Sequence, residues 1–235
     1  IPVLDNVDEF ETYDNLINCN FKIGIRVATE EIPNYTFYTS RLGIAPNKII
    51  QYYKEKLAEH SKAELSMLHF FINTGIQDHV YYWNELSKCL KIYADLKKIC
   101  PSLNTLNIGG GLPFKSKLNF EYDYFGFIKS ILKEIKSSCE RYGIPEPDIM
   151  TEFGTFTVAE ASANIFTVLN EKKQNDRESW YMVNNSFMTT LPDTWGIDQR
   201  FIILPINKWY NKYKTVFLGG LTCDSMDFYN AKVHN

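Results

Sequence analysis

No apolar stretch in this sequence reaches the roughly 18 residues that a membrane span needs, so no membrane partner is expected. Lysine and arginine never gather into a basic run and the formal net charge is −3, which argues against nucleic acid as a partner. Five cysteines (Cys19, Cys89, Cys100, Cys139 and Cys223) stand far apart, without metal-type pairing. Odd in number and scattered, they predict a reduced, cytoplasmic protein rather than a disulfide scaffold. The four histidines are equally dispersed, which leaves no structural zinc pattern. Internal repeats, low-complexity tracts and a signal-peptide layout are also missing. The chain opens on strand-like "IPVLDN" without an initiator methionine and stops at "FYNAKVHN" without a tail composition. Both ends are therefore expected to be cut from a longer polypeptide.

What is present suits a large core: 235 residues, 45% hydrophobic and 15% aromatic. "FKIGIRVA" (21–28), "SMLHFFI" (66–72), "TLNI" (105–108) and "DIMTE" (148–152) read as short buried strands, with "IPVL" (1–4) a weaker fifth. Helical spacing connects them. Val80, Trp83, Leu86, Leu90, Tyr93, Leu96 and Ile99 recur at three- and four-residue steps over 78–100, behind Asp78 as a capping residue. Tyr124, Phe127, Ile128, Ile131, Leu132, Ile135 and Cys139 do the same over 124–139, and a third helix follows Asn47 with Ile49, Ile50, Tyr53 and Leu57. Such alternation predicts βαβ crossovers and a parallel sheet. Beyond about residue 164 the texture changes to "NIFTVLN", "SWYMVNNSF", "RFIILPI" and "KTVFLGG", all β-like, while "KKQNDRE" (172–178) reads as a solvated turn. The expected organisation is an α/β region over 1–163 and the start of a β-rich domain over 164–235. A closed (β/α)8 barrel takes about 250 residues. Four or five strand–helix units cannot close one, so either the sheet is open or earlier strands are missing.

The C-terminal ends of these strands gather the chemistry-bearing residues, and that edge carries the site in barrels and open α/β sheets alike. Arg26 lies near the end of one strand, "FINT" (71–74) ends the next, Gly109, Gly110 and Gly111 end the third, and Glu152 ends the fourth. Each has a plain alternative. Three glycines after a strand serve a tight turn or a nest of N–H groups for a phosphate. Glu152 is a strand-end carboxylate that needs a cation or an N–H partner if buried. His69, inside an apolar strand, reads as a satisfied core histidine, and Arg26 as a salt-bridge partner of Glu30 or Glu31. Cys223 and Asp224 read as a small residue beside a turn aspartate.

Five blocks in order and spacing decide between these readings: "SRLGI" (40–44), "LNIGGGLPF" (106–114), "TEFGTFTVAEASA" (151–163), "LPDTWGIDQ" (191–199) and "GGLTCDSMD" (219–227). Over nearly its full length the chain resembles the pyridoxal-phosphate-dependent basic amino acid decarboxylases of fold type III. Their alanine-racemase-like TIM-type barrel is followed by a C-terminal β domain. "LPDTWGIDQ" is most similar to the biosynthetic arginine decarboxylase branch, with ornithine, lysine and diaminopimelate decarboxylases as near relatives. The resemblance implies the C-terminal part of the barrel plus part of the β domain, with pyridoxal 5'-phosphate as cofactor and Mg2+ as an accessory ion. It implies decarboxylation of arginine to agmatine and CO2 in polyamine biosynthesis, a basic amino acid as substrate, and a homodimer or higher homo-oligomer.

The same resemblance implies residue roles. Glu152 stands where the family places the carboxylate beside the cofactor's ring nitrogen. Gly109, Gly110 and Gly111 match the glycines that bring backbone N–H groups onto the phosphate. Cys223 matches the residue that returns a proton to the substrate Cα, commonly across a subunit interface. Asp224 matches the acid that meets the distal cation of the substrate, and Arg26 an arginine near the cofactor. Three departures stand out. Phe71 takes the position of the ring-facing histidine, with His69 two residues earlier and Thr74 in place of a serine. The family's E-P-G-R block becomes Glu152-Phe153-Gly154-Thr155, so threonine replaces the arginine that holds the phosphate. No lysine matches the Schiff-base position, which belongs upstream of Ile1; Lys22 and Lys115 do not fit it. The chain alone is therefore expected to be inactive. A non-catalytic regulatory relative and an unrelated phosphate-binding barrel enzyme are the competing readings.

Overall fold

The computed structural model describes residues 1–29, 42–72, 79–175, 178–197 and 199–229. They divide into two compact units, one of Ile1–Phe114 with Tyr122–Thr157, the other of Lys115–Glu121 with Val158–Asn235. The division falls at residues 157–158, a few residues before the change of texture in the sequence, and gives the 115–121 segment to the second unit.

The first unit holds strands β1 (Val3–Leu4), β2 (Phe21–Val27), β3 (Ala63–Phe70), β4 (Thr105–Asn107) and β5 (Asp148–Met150). They pair in sequence order, each parallel to the next. Helices α1 (Glu9–Leu16), α2 (Pro46–Tyr52), α3 (His79–Lys97) and α4 (Tyr124–Tyr142) make the crossovers. Pro46 opens α2, where its missing N–H costs nothing, and a π-helical turn over Tyr53–Leu57 prolongs it. The Asp123 carboxylate caps α4 by accepting from the Gly126 N–H at 2.9 Å.

One face of this sheet carries the core. Ile23, Ile25 and Val27 of β2, Leu65, Leu68 and Phe70 of β3, and Leu106 with Ile108 share a buried cluster with side chains of α2, α3 and α4. A register shift between Ile23 and Gly24 leaves Ser66 as the extra residue of β3, which lets Leu65 and Leu68 face the same side. The opposite face is polar at its C-terminal end. There Arg26 pairs in register with His69, His69 with Asn107, and Asn107 with Met150.

The helical periodicity holds at most of its positions and fails at a few. In α3 Leu86, Leu90, Tyr93 and Leu96 are buried, but Val80 is exposed, as is Ile99 just beyond the helix, and Tyr82, Cys89 and Ala94 are buried as well. In α4 Phe127, Ile131, Ile135 and Cys139 are buried, whereas Leu132 is exposed. Asp78, read as the cap of α3, lies outside the described residues. Helix α1 has no counterpart in the sequence reading because only Phe10 of its eight residues is buried, too little for a periodic signal. Strands β4 and β5 end at Asn107 and Met150, so Glu152 lies beyond its strand rather than at its last position.

The second unit holds β6 (Val168–Lys173), β7 (Ser179–Val183), β8 (Phe217–Gly219) and β9 (Phe228–Tyr229) in that order. The β6–β7 and β8–β9 pairs are antiparallel and β7–β8 is parallel. Val183, Phe187 and Tyr229 form its small core, and Trp180 stacks on Phe217 at 4.8 Å between ring centres. "RFIILPI" is not a strand. The Tyr229 hydroxyl accepts from the Phe201 N–H at 2.9 Å and donates to the Phe201 carbonyl at 2.7 Å. Both ladder groups of that residue are thus spent on a side chain, and Pro205 has no N–H to offer a partner strand. Among the described residues no helix is long and apolar enough to cross a membrane.

Candidate functional site

The polar end of the first sheet begins at the glycine turn. Gly109 has φ +68°, and a Cβ built there would sit 2.6 Å from the Phe70 carbonyl oxygen. Gly110 lies so close to the chain beyond β5 that its Cβ would meet the Glu152 carbonyl oxygen at 2.8 Å. Only glycine satisfies both approaches. The Glu152 N–H donates to the Gly109 carbonyl at 2.9 Å, which locks the turn onto the chain beyond β5. The amides of Gly110 and Gly111 find no acceptor among the described residues.

Asn107, the last residue of β4, binds this turn to Glu152. Its Oδ1 accepts from the Gly109 N–H at 2.9 Å, and its Nδ2 donates to Glu152 Oε1 at 2.9 Å. Glu152 is half exposed rather than buried. His69 is buried in the middle of the row, with Nε2 3.4 Å from the same Glu152 oxygen. That nitrogen has no hydrogen-bond partner among the described residues, so His69 is not the satisfied core histidine that its position suggested. Burial pushes its imidazole below the ordinary histidine range; the Glu152 charge pulls it back up, Arg26 lowers it and Asp5 raises it.

Arg26 turns towards Asp5, Nη1 to Oδ1 3.8 Å, and its guanidinium stands 5.6 Å from the centre of the Phe71 ring. Asp5 in turn accepts from the Gly43 N–H at 3.0 Å. Glu30 and Glu31, the partners expected for Arg26, lie outside the described residues, as does Thr74. Gly154 and Thr155 open the short helix α5 (Gly154–Val158), both exposed.

Cys223 and Asp224 belong to the second unit. Cys223 is an exposed free thiol. The Asp224 carboxylate is exposed and accepts from the Met226 N–H at 2.8 Å. Their loop hangs on Asp227, which is buried. Its Oδ1 accepts from the Phe187 N–H at 2.8 Å, and its Oδ2 accepts from the Thr222 N–H at 2.9 Å and the Thr222 hydroxyl at 2.6 Å. These donors hold the Asp227 carboxyl below the usual carboxylate range, although desolvation is the largest single influence and opposes them. Two residues of consequence, Asn107 and Asp227, escaped the sequence reading. Asn107 carried a usable signal, a polar side chain where an apolar strand meets three glycines.

A carboxylate beside a buried imidazole, next to a glycine turn with two open amides, fits the ring nitrogen and the phosphate of pyridoxal 5'-phosphate. Among the described residues no three His, Cys, Asp or Glu side chains gather as a metal ion requires. The arrangement has, at a strand edge, the open amides and the carboxylate that a phosphorylated cofactor of this kind would need. The family described as "Pyridoxal-dependent decarboxylase, pyridoxal binding domain" matches residues 1–159, and the chain belongs to it.

Curated relatives agree with that assignment, and solved structures show the fold. The biosynthetic arginine decarboxylase of Marinobacter nauticus is 24% identical over 146 residues, 59% of this chain and 23% of the relative. That of Prochlorococcus marinus strain MIT 9215 is 28% identical over 137 residues, 55% of this chain and 21% of the relative. The chain thus spans under a quarter of the length of these curated relatives. The diaminopimelate decarboxylase of Helicobacter pylori complexed with L-lysine superposes with a TM-score of 0.80 at 18% identity, over 97% of this chain and 57% of that one. The lysine decarboxylase of Selenomonas ruminantium gives 0.73 at 16% identity, over 97% and 57%. These likenesses show the fold: part of a (β/α)8 barrel followed by a β-sheet domain.

Proposed function

We propose that the full-length protein decarboxylates L-arginine to agmatine and CO2, with this chain supplying the phosphate and ring-nitrogen contacts of its cofactor. The observation that carries the reading is the Glu152 carboxylate, bound through Asn107 to the glycine turn and facing the buried His69. When bound, pyridoxal 5'-phosphate takes up the electron pair left on the substrate Cα as CO2 departs.

The chain's own residues do the rest. Gly110 and Gly111 offer N–H groups to the phosphate, and Thr155 adds a hydroxyl at the position where the family resemblance places an arginine. Glu152 keeps an anionic oxygen beside the ring nitrogen and so favours a proton there. Phe71 offers a ring to stack on, without hydrogen bonding, and Arg26 lies against that ring. Cys223, exposed and unpaired, donates a proton to the substrate Cα, an assignment that fits a homodimer with each thiol serving its partner's site. Asp224 offers a carboxylate matched to a guanidinium's paired donors. The arginine preference rests on the curated relatives named biosynthetic arginine decarboxylase and on "CDS" at 223–225. No lysine of this chain occupies the Schiff-base position, so activity is assigned to the full-length protein.

The test is release of labelled CO2 by the full-length protein from arginine, ornithine, lysine and diaminopimelate. Turnover of arginine alone is expected. Turnover of another of the four overturns the substrate assignment, and turnover of none favours the second reading, a non-decarboxylating relative. That reading draws on Phe71 and Thr155, which replace two cofactor-holding residues.

A further inference from the structure

We infer that Asn107 is a positioning residue, whose amide ties the Glu152 carboxylate to the glycine turn so that one side chain aims the ring-nitrogen partner and shapes the phosphate cradle. The inference rests on the cofactor reading above.

The geometry assigns both ends of the amide. The Gly109 N–H must meet an oxygen, so Oδ1 faces the turn and Nδ2 faces Glu152, each contact being 2.9 Å. Glu152 needs such a tether. It lies past the end of β5, a strand whose Asp148 and Met150 side chains are themselves exposed, and its own side chain is half in solvent. A free glutamate there would sample several rotamers and spend little time beside the ring. With the Asn107 bond in place, Oε1 is held 3.4 Å from His69 Nε2.

The plain alternative is that Asn107 merely caps the turn, since an Asn side chain accepting from the N–H two residues on is an ordinary Asx turn. An Asx cap needs only the oxygen. The Nδ2 contact with Glu152 is an additional bond, and the two readings differ in whether Asn107 and Glu152 act as one unit.

His69 reports on that unit without any cofactor. The charged groups facing it are Glu152 from beyond β5, Arg26 from β2 and Asp5 from beyond β1. Its titration is followed by NMR in the full-length protein, the signal being assigned with a His69→Gln variant. The wild type is compared with Asn107→Ser, Glu152→Gln and the double variant. Serine keeps an oxygen for the Gly109 N–H but is too short to reach Glu152, so the turn and the fold survive where Asn107→Ala endangers them.

Releasing the carboxylate into solvent is expected to lower the His69 titration midpoint by about one pH unit. Glu152→Gln lowers it similarly, and Asn107→Ser adds nothing to the Glu152→Gln background. A midpoint that does not move in Asn107→Ser, or that moves equally in both backgrounds, overturns the tether.

A second measurement compares binding of pyridoxal 5'-phosphate with that of its analogue carrying C–H in place of the ring nitrogen, with inorganic phosphate as competitor. The wild type is expected to prefer the nitrogen-bearing ligand about tenfold. Asn107→Ser is expected to lose that preference while competition by phosphate is unchanged. A variant that keeps the preference overturns the inference, whereas a wild type without preference overturns the cofactor reading and leaves the His69 cycle to judge the tether.

Discussion

Replacing Gly109 by alanine isolates what holds the glycine turn, because the molecule contains its own control. Gly143, which ends α4, has φ +67° against +68° for Gly109, but a Cβ on it meets nothing within 4 Å. Both substitutions carry the left-handed penalty of an L-residue, about 1–2 kcal/mol. Only Gly109→Ala adds a contact of 2.6 Å with the Phe70 carbonyl oxygen, which belongs to a paired strand and cannot step aside. Relief must come from the turn, at the expense of the Gly109 N–H bond to Asn107 and the Glu152 N–H bond to Gly109. At about 1 kcal/mol each, those losses bring Gly109→Ala to roughly 3–4 kcal/mol.

Urea unfolding followed by far-UV circular dichroism reads the difference, since α3 and α4 of the first unit are the two longest helices described. With a slope of about 2 kcal/mol/M, the Gly109→Ala midpoint is expected about 1 M below that of Gly143→Ala. Equal midpoints would refute the claim that close backbone approach, rather than dihedral preference alone, requires glycine at 109.

Three further outcomes follow from the same structure. Asp227→Asn should destabilise the second unit by about 2 kcal/mol, because a charged acceptor of three hydrogen bonds is replaced by a neutral one; tryptophan fluorescence, with Trp180, Trp195 and Trp209 in that unit, follows it. Since the folded Asp227 titrates below its ordinary value, its contribution is present above about pH 4 and is lost as pH falls through the folded value. The wild type should therefore weaken in acid more steeply than Asp227→Asn, and parallel pH profiles would contradict the hub role. Among the thiols, Cys19 and Cys223 are exposed and Cys89, Cys100 and Cys139 are buried, so a thiol reagent should modify two at once and three only in denaturant. Burial also pushes the Cys89 thiol far up, which adds to its protection. Tyr52 and Tyr53, each pushed up to about 12 chiefly by desolvation, should escape a spectrophotometric titration carried to pH 11.

The alternation of strands and helices, the parallel order and the shift to β structure were legible in the sequence, because buried strands and the centres of α3 and α4 write their periodicity directly into apolar spacing. The glycine turn, Glu152 and the cysteine–aspartate pair were legible as residues. Their partners were not. The link from Asn107 to Glu152 joins positions 45 apart, and the Asp227 link to Phe187 joins positions 40 apart. No local pattern encodes such a contact, since it exists only where parallel register or loop closure brings the groups within 3 Å. The exposure of Val80, in the first turn of α3, and of Leu132, one position along from the buried Ile131, was likewise decided by what each helix packs against. By itself the sequence determined which groups were available at the strand ends. Only tertiary structure decided which of them touch: strand register set Arg26, His69 and Asn107 side by side, and a turn that only glycine can make brought Asn107 and Glu152 together.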